Sequence, residues 1–150
     1  MRIENRRARF EYEVLETLEA GIALSGAEVK SVKGGRMDLS AAYVVIRQNE
    51  ETEFPEAWLL NALIPTYAQA RGEDDPKRTR KLLLHRRELF RLEQKVKQDR
   101  LTIVPLAVYT TGRLIKLSVG LARGRRMWQK RDLLRKRDLM REEEKELAEK

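Results

Sequence analysis

Few residues in this chain could do covalent chemistry. It has no cysteine and one histidine, His85. That removes a thiolate nucleophile, a disulfide framework, a thiolate zinc site and any pair of histidine ligands. His85 stands in Leu84-His85-Arg86-Arg87-Glu88, at the start of a predicted helix, where bonding to backbone groups is a simpler role than metal ligation. The segment Gly120-Leu121-Ala122-Arg123-Gly124-Arg125-Arg126 carries two glycines but lacks the spacing and the Lys-Ser/Thr ending of a phosphate-binding loop, and Gly34-Gly35 fits no dinucleotide fingerprint. The carboxylate pair Asp74-Asp75 lies in a polar stretch with nothing to raise its pKa. The expectation is a binding protein rather than an enzyme, with no metal, cofactor or small-molecule substrate.

Fixed positive charge is what the chain has in excess. Charged residues make up 37% of it, and 32 Lys and Arg against 24 Asp and Glu give a net charge of +8 and a pI near 9.9. An excess of that size points to a polyanionic partner, nucleic acid above all. The charge is concentrated. Residues 123–141 alone carry +7, from nine cations opposed by Asp132 and Asp138. Two smaller clusters are Arg6-Arg7-Arg9 and Lys77-Arg78-Thr79-Arg80-Lys81, which continues to Arg86-Arg87. Any one cluster could be a solvated face; three with few acids beside them are expected to carry anion binding.

The elements that must position these clusters follow from periodicity. Within 10–24, Phe10, Tyr12 and Val14 alternate with Glu11 and Glu13, which predicts a half-buried strand bent by a bulge near Val14-Leu15 and again at Gly21. Ser25-Gly26-Ala27-Glu28 predicts a capping box opening a short helix that ends at Gly34-Gly35. Residues 42–47 and 58–64 read as strands separated by an acidic 49–56 loop, and 69–77 as a polar loop. Leu82-Leu83-Leu84 is too short to assign. Leu89, Leu92 and Val96 predict a helix over 86–98. Residues 101–109 and 114–122 predict a hairpin around Thr110-Thr111-Gly112-Arg113, with Pro105 at an edge or bulge. The apolar runs 58–64 and 101–109 are far short of the ~18 residues that span a bilayer, and the N-terminus shows no secretion signal, so a soluble cytoplasmic protein without membrane contact is expected.

A chain of 150 residues fits one domain and a tail. Residues 1-122 are expected to form a mainly β, OB-like antiparallel barrel with about three short helices. In 123-150, Leu133, Met140 and Leu147 make only a narrow stripe, so a basic C-terminal tail that is disordered in isolation and helical on a partner is expected.

Several blocks resemble one family. Asn5-Arg6-Arg7-Ala8-Arg9-Phe10-Glu11-Tyr12, the 19–31 segment Glu19-Ala20-Gly21-Ile22-Ala23-Leu24-Ser25-Gly26-Ala27-Glu28-Val29-Lys30-Ser31, Asp75-Pro76-Lys77-Arg78-Thr79-Arg80-Lys81-Leu82-Leu83-Leu84 and the 120–126 segment stand in the order of the SmpB family, the SsrA-binding proteins of bacterial trans-translation. The chain departs from the usual pattern in its acidic 49–56 loop and in Gln129. The resemblance implies binding to the tRNA-like part of tmRNA (SsrA RNA) and its delivery to stalled ribosomes. Elongation factor Tu and alanyl-tRNA synthetase would then be reached indirectly, through the RNA. By family position, Asn5, Glu19 and Leu83 would contact RNA, joined by Arg6 and Arg7 and by Lys77, Arg78, Arg80 and Lys81 on phosphates. The resemblance places Arg123, Arg125, Arg126, Trp128, Lys130 and Arg131 in a tail that enters the decoding site and mRNA channel, with Trp128 expected to stack on a base there. The competing classes are a ribosomal or other OB-type RNA-binding protein with no role in rescue, and a basic scaffold for acidic proteins or membrane surfaces.

Overall fold

The structure, a computed structural model, describes residues 1–65 and 75–149. Most of the polar loop expected over 69–77, and Asp74 of the carboxylate pair, lie outside the described residues. The elements run β1 (Arg2–Glu4), α1 (Arg6–Glu11), β2 (Tyr12–Ile22), α2 (Gly26–Lys33), β3 (Tyr43–Gln48), β4 (Pro55–Leu60), β5 (Arg80–Leu83), α3 (Arg86–Asp99), β6 (Thr102–Thr111), β7 (Leu114–Gly124) and α4 (Met127–Glu149). All seven strands join one antiparallel sheet in the order β1-β6-β3-β4-β5-β2-β7, and a β6–β7 pairing closes it into a barrel-like ring. The mainly β expectation therefore holds.

Alternation builds the ring's interior. In β4, Pro55, Ala57 and Leu59 are buried and their neighbours are not. Leu59, Leu82, Ile103, Val108, Leu117, Val119 and Leu121 meet inside, and α3 covers one side with buried Leu92 and half-buried Leu89 and Val96. The 3.6-residue stripe thus gave α3 to within a residue. A second small cluster, Ala8, Val104, Leu106 and Ala122, lies under α1. There Gly120 is needed for close packing, since a Cβ would stand 2.9 Å from Leu106 Cδ1.

The bulge expected in β2 falls between Val14 and Glu16, and leaves Leu15 exposed. No break occurs at Gly21, which pairs in register with Lys116. Pro105, with no amide to donate, sits beside the register shift in β6. Gly112 makes the β6–β7 turn at φ +61°, a conformation only glycine adopts freely. The capping box is present: the Ser25 amide donates to Glu28 Oε1 at 2.9 Å, and the Glu28 amide donates to Ser25 Oγ at 3.3 Å.

Three elements differ from expectation. β1 and α1 were not legible in so short an arm; Asn5 caps α1 by accepting the Ala8 amide at 3.1 Å. β4 begins at Pro55 and ends at Leu60, earlier than 58–64, because the tight Asn49–Phe54 tip sets the hairpin register at Gln48↔Pro55. The tail forms a continuous helix, α4, with no buried residue. Its Leu, Met, Arg, Lys and Glu favour a helix locally, with no buried side chain to hold it.

One buried ionic cluster ties these parts together. Arg80 has no exposed surface, and Glu28 is 5% exposed. Arg80 donates to Glu28 Oε2 from Nε at 2.7 Å, and Arg78 donates to both carboxylate oxygens of Glu28. The rest of the Arg80 guanidinium donates to the carbonyls of Ala62 at 2.7 Å, Pro76 at 3.0 Å and Arg78 at 3.1 Å. Burial acts to raise the Glu28 pKa, but the donors Arg78, Ser25 and Arg80, with the Arg80 charge, outweigh it and hold the carboxyl below its ordinary value. A lowered folded pKa contributes stability above the ordinary glutamate pKa of about 4.3, and this is lost as pH falls through the folded value. Glu28→Gln is expected to cost about 3–5 kcal/mol at pH 7, because it strands a buried guanidinium. Urea unfolding across pH 3 to 7 checks this. The variant should show a shallower acid loss than the parent, and an equally steep one would contradict the assignment.

Candidate nucleic-acid interface

The ring's outer face carries the candidate site. Pairing fixes one lateral row across five strands: Arg2↔Tyr109, Tyr109↔Lys116, Lys116↔Gly21 and Gly21↔Leu83. Residues directly opposite in antiparallel strands share a face, so these side chains stand side by side. Two residues along, Glu19 pairs with Ser118 and is exposed on the same side. Leu83 is 56% exposed and lies across bare Gly21, where a Cβ would come 3.1 Å from the Leu83 Cβ. Beside it is a cleft of about 260 Å³ lined by Ile22, Val29, Leu83, Leu114, Arg113 and Lys116. Apolar walls with a cationic rim suit an unstacked base and its phosphate.

Glu19 is held from one side. The Tyr109 hydroxyl donates to Glu19 Oε2, and that bond, followed by burial, raises the Tyr109 pKa and keeps it a donor. The Arg2 guanidinium lies 5.3 Å from the centre of the Tyr109 ring.

The basic residues singled out by sequence are sorted differently. Lys77 is exposed, and Lys81 is half-buried with Nζ 3.4 Å from Glu56. Arg78 is spent on Glu28 and on the Ala23 carbonyl. The phosphate contact expected of Arg80 is not open to it, since its whole guanidinium is buried on protein acceptors. Asn5 is likewise buried. Its amide donates to the carbonyls of Leu39 at 3.0 Å and Pro105 at 2.7 Å while its oxygen caps α1, so its amide hydrogens are engaged within the fold.

Arg6 and Arg7 are exposed on α1, with Arg7 Nε 3.1 Å from Glu11. They lie at the opposite end of β2 from Leu83, roughly 25–30 Å away at about 3.4 Å per strand residue, and adjoin the root of α4. There the Arg125 amide donates to the Glu11 carbonyl at 2.8 Å and its Nε to the Tyr12 carbonyl at 3.2 Å. Gln129 Oε1 accepts the Arg126 amide at 2.9 Å, and Lys130 Nζ lies 6.0 Å from the Phe10 ring centre. Arg123, next to last in β7, pairs with Glu13, Arg131 is exposed, and Trp128 is 65% exposed rather than folded onto the ring. Sequence reasoning missed Arg2, Tyr109, Arg113 and Lys116. Lys116 left a signal, as a lone cation in the apolar strand 114–122.

A small antiparallel ring that sets aromatic, apolar and cationic side chains along one outer face is the build of a nucleic-acid-binding module. Comparison with known proteins narrows the class. The family model described as SmpB protein matches residues 2–149. An SsrA-binding protein of Gloeothece citriformis is 48% identical over 135 residues, covering 88% of this chain and 83% of that protein. One from Synechococcus sp. (strain JA-3-3Ab) is 46% identical over 147 residues, covering 97% and 92%. A solved structure described as "tmRNA-SmpB: a journey to the center of the bacterial ribosome" contains a chain 46% identical to this one, with a TM-score of 0.66 and coverage of 84% and 85%. The chain belongs to the SmpB family.

The burial pattern separates two kinds of residue. Asn5→Ala strips two buried carbonyls and a helix cap of their partner and is expected to cost about 1–3 kcal/mol. Leu83→Ala removes an exposed side chain and should stay within about 0.5 kcal/mol of the parent. Denaturant unfolding of the two variants checks the contrast, and a larger loss for Leu83→Ala would make it a core residue.

Proposed function

We propose that this chain binds the tRNA-like domain of tmRNA through its outer row and delivers it to stalled ribosomes for trans-translation. It belongs to a family whose relatives are SsrA-binding proteins, and a similar chain sits in a tmRNA–SmpB ribosome structure. The observation that carries the reading is the exposed Leu83 over bare Gly21, flanked by Lys116 and Glu19. Such a surface stacks an unpaired base, offers a carboxylate acceptor to base N–H groups and places a cation for phosphate. The protein acts in the cytoplasm as a binder and performs no covalent step. Elongation factor Tu and alanyl-tRNA synthetase act on the RNA it holds.

In the same reading α4 occupies the decoding site and mRNA channel. A helix of 23 residues with no buried side chain lacks the tertiary packing that supplies most helical stability in proteins, so it frays in the free protein and is fixed only on the ribosome. The +7 of residues 123–141 suits a channel lined by phosphate, where released counterions offset the cost of ordering. Exposed Trp128 supplies a stacking face near the decoding site.

Three measurements test this. Glu19→Ala and Leu83→Ala should each weaken binding of the tRNA-like domain, the loss of stacking by about 1–3 kcal/mol. Neutralising Lys77 and Lys81 together should flatten the slope of log affinity against log salt by roughly 0.7–0.9 per lost phosphate contact. An unchanged slope would remove these lysines from the backbone. Separately, truncation after Gly124 and Trp128→Ala should leave tmRNA affinity near normal yet prevent peptide synthesis from restarting on stalled ribosomes in a purified translation system. Lost tmRNA affinity would place the tail on the RNA-binding face instead, and full rescue would remove its decoding role.

A further inference from the structure

We infer that Tyr109 is a positioning residue for Glu19: its hydroxyl holds one carboxylate oxygen and so aims the other at an N–H donor of an unstacked base. The inference rests on the outer row being the RNA surface. Glu19 and Tyr109 lie on β2 and β6, with β7 between them, since Glu19 pairs with Ser118 and Tyr109 with Lys116 on that strand. Two strand spacings are about 9–10 Å, a span that the tyrosine ring and the glutamate side chain cover by reaching across β7 to meet. The Tyr109 ring is itself placed. The Arg2 guanidinium stands against it at 5.3 Å, and Glu4 Oε1 accepts from Arg2 Nε at 2.5 Å. A chain of contacts therefore runs Glu4–Arg2–Tyr109–Glu19 across four neighbouring strands.

The arrangement has a consequence for binding. Glu19 is exposed, and among the described residues no other donor bonds its carboxylate. A free glutamate samples many rotamers and loses that freedom when a ligand fixes it. Tyr109 removes much of that freedom beforehand, while leaving the second oxygen and its lone pairs toward solvent. Phenol is a suitable holder because it donates one hydrogen and stays protonated across the physiological range, its pKa being raised chiefly by this bond. A lysine in its place would neutralise the carboxylate and compete with the base.

The test is a double-mutant cycle on affinity for the in vitro transcribed tRNA-like domain, using Tyr109→Phe, Glu19→Ala and the pair, with urea midpoints measured alongside. Tyr109→Phe keeps the ring and its contact with Arg2. It should weaken binding about 3- to 10-fold, the usual cost of leaving one side chain to be ordered on binding, with an unchanged midpoint. In the Glu19→Ala background the same substitution should have no further effect. If Glu19→Ala itself leaves affinity intact, the RNA reading of this face fails. If Glu19→Ala weakens binding while Tyr109→Phe does not, or if the two losses simply add, the positioning role is overturned; additive losses would make Tyr109 an independent RNA contact.

Discussion

The buried pairing of Arg80 with Glu28 is the constraint from which the working surface follows. A guanidinium with no exposed surface is tolerable only when its charge is matched and its N–H groups are bonded. Here Glu28 supplies the charge, and the carbonyls of Ala62, Pro76 and Arg78 take the remaining donors. Those acceptors come from α2, from the chain after β4 and from the segment before β5, so one side chain fixes all three. It also fixes parity. Side chains alternate along a strand, and with Arg80 inward, Leu82 is inward and Lys81 and Leu83 face out. A slip by one residue would bury Leu83 and expose Arg80. The same interaction that stabilises the interior thus presents the apolar side chain proposed to meet a base.

The outer face is completed by strands far apart in sequence. Antiparallel pairing brings Arg2, Tyr109, Lys116, Gly21 and Leu83 into one row although they span the chain from its first residues to β7. The second basic region, formed by α1 and the root of α4, is at the other end of β2. Arg125 joins the two elements by donating to the carbonyl of Glu11, which ends α1, and to that of Tyr12 just beyond it. Two separated surfaces on one ring suit the proposed division of labour, one holding an RNA and the other leading into the tail, and the tail's lack of buried side chains leaves it free to adapt to a partner.

Much of the scaffold was legible because its signals are local. Ser25 and Glu28 announced the capping box, Leu89, Leu92 and Val96 the stripe of α3, and Pro105 the break in β6. The site was less legible because burial is decided by pairing. Arg80 sits in a run of cations and reads as surface charge; only the ring shows that it points inward. Leu83, in a run of three leucines, gives no parity of its own, and its exposure is set by Arg80. Asn5 reads as a polar terminal residue, yet it bonds carbonyls 34 and 100 residues away. Tyr109 and Lys116 became visible as site residues only once their cross-strand neighbours were known.

The central claim is that the outer row selects tmRNA from among cellular RNAs. The most direct measurement is to crosslink RNA to the protein in its own cells with ultraviolet light, purify the protein and sequence what it carries. The account predicts that tmRNA dominates, with its tRNA-like domain as the crosslinked part, and that this enrichment collapses when Glu19 and Leu83 are both replaced by alanine. Ribosomal RNA alone, or tmRNA enrichment undiminished by those replacements, would contradict it.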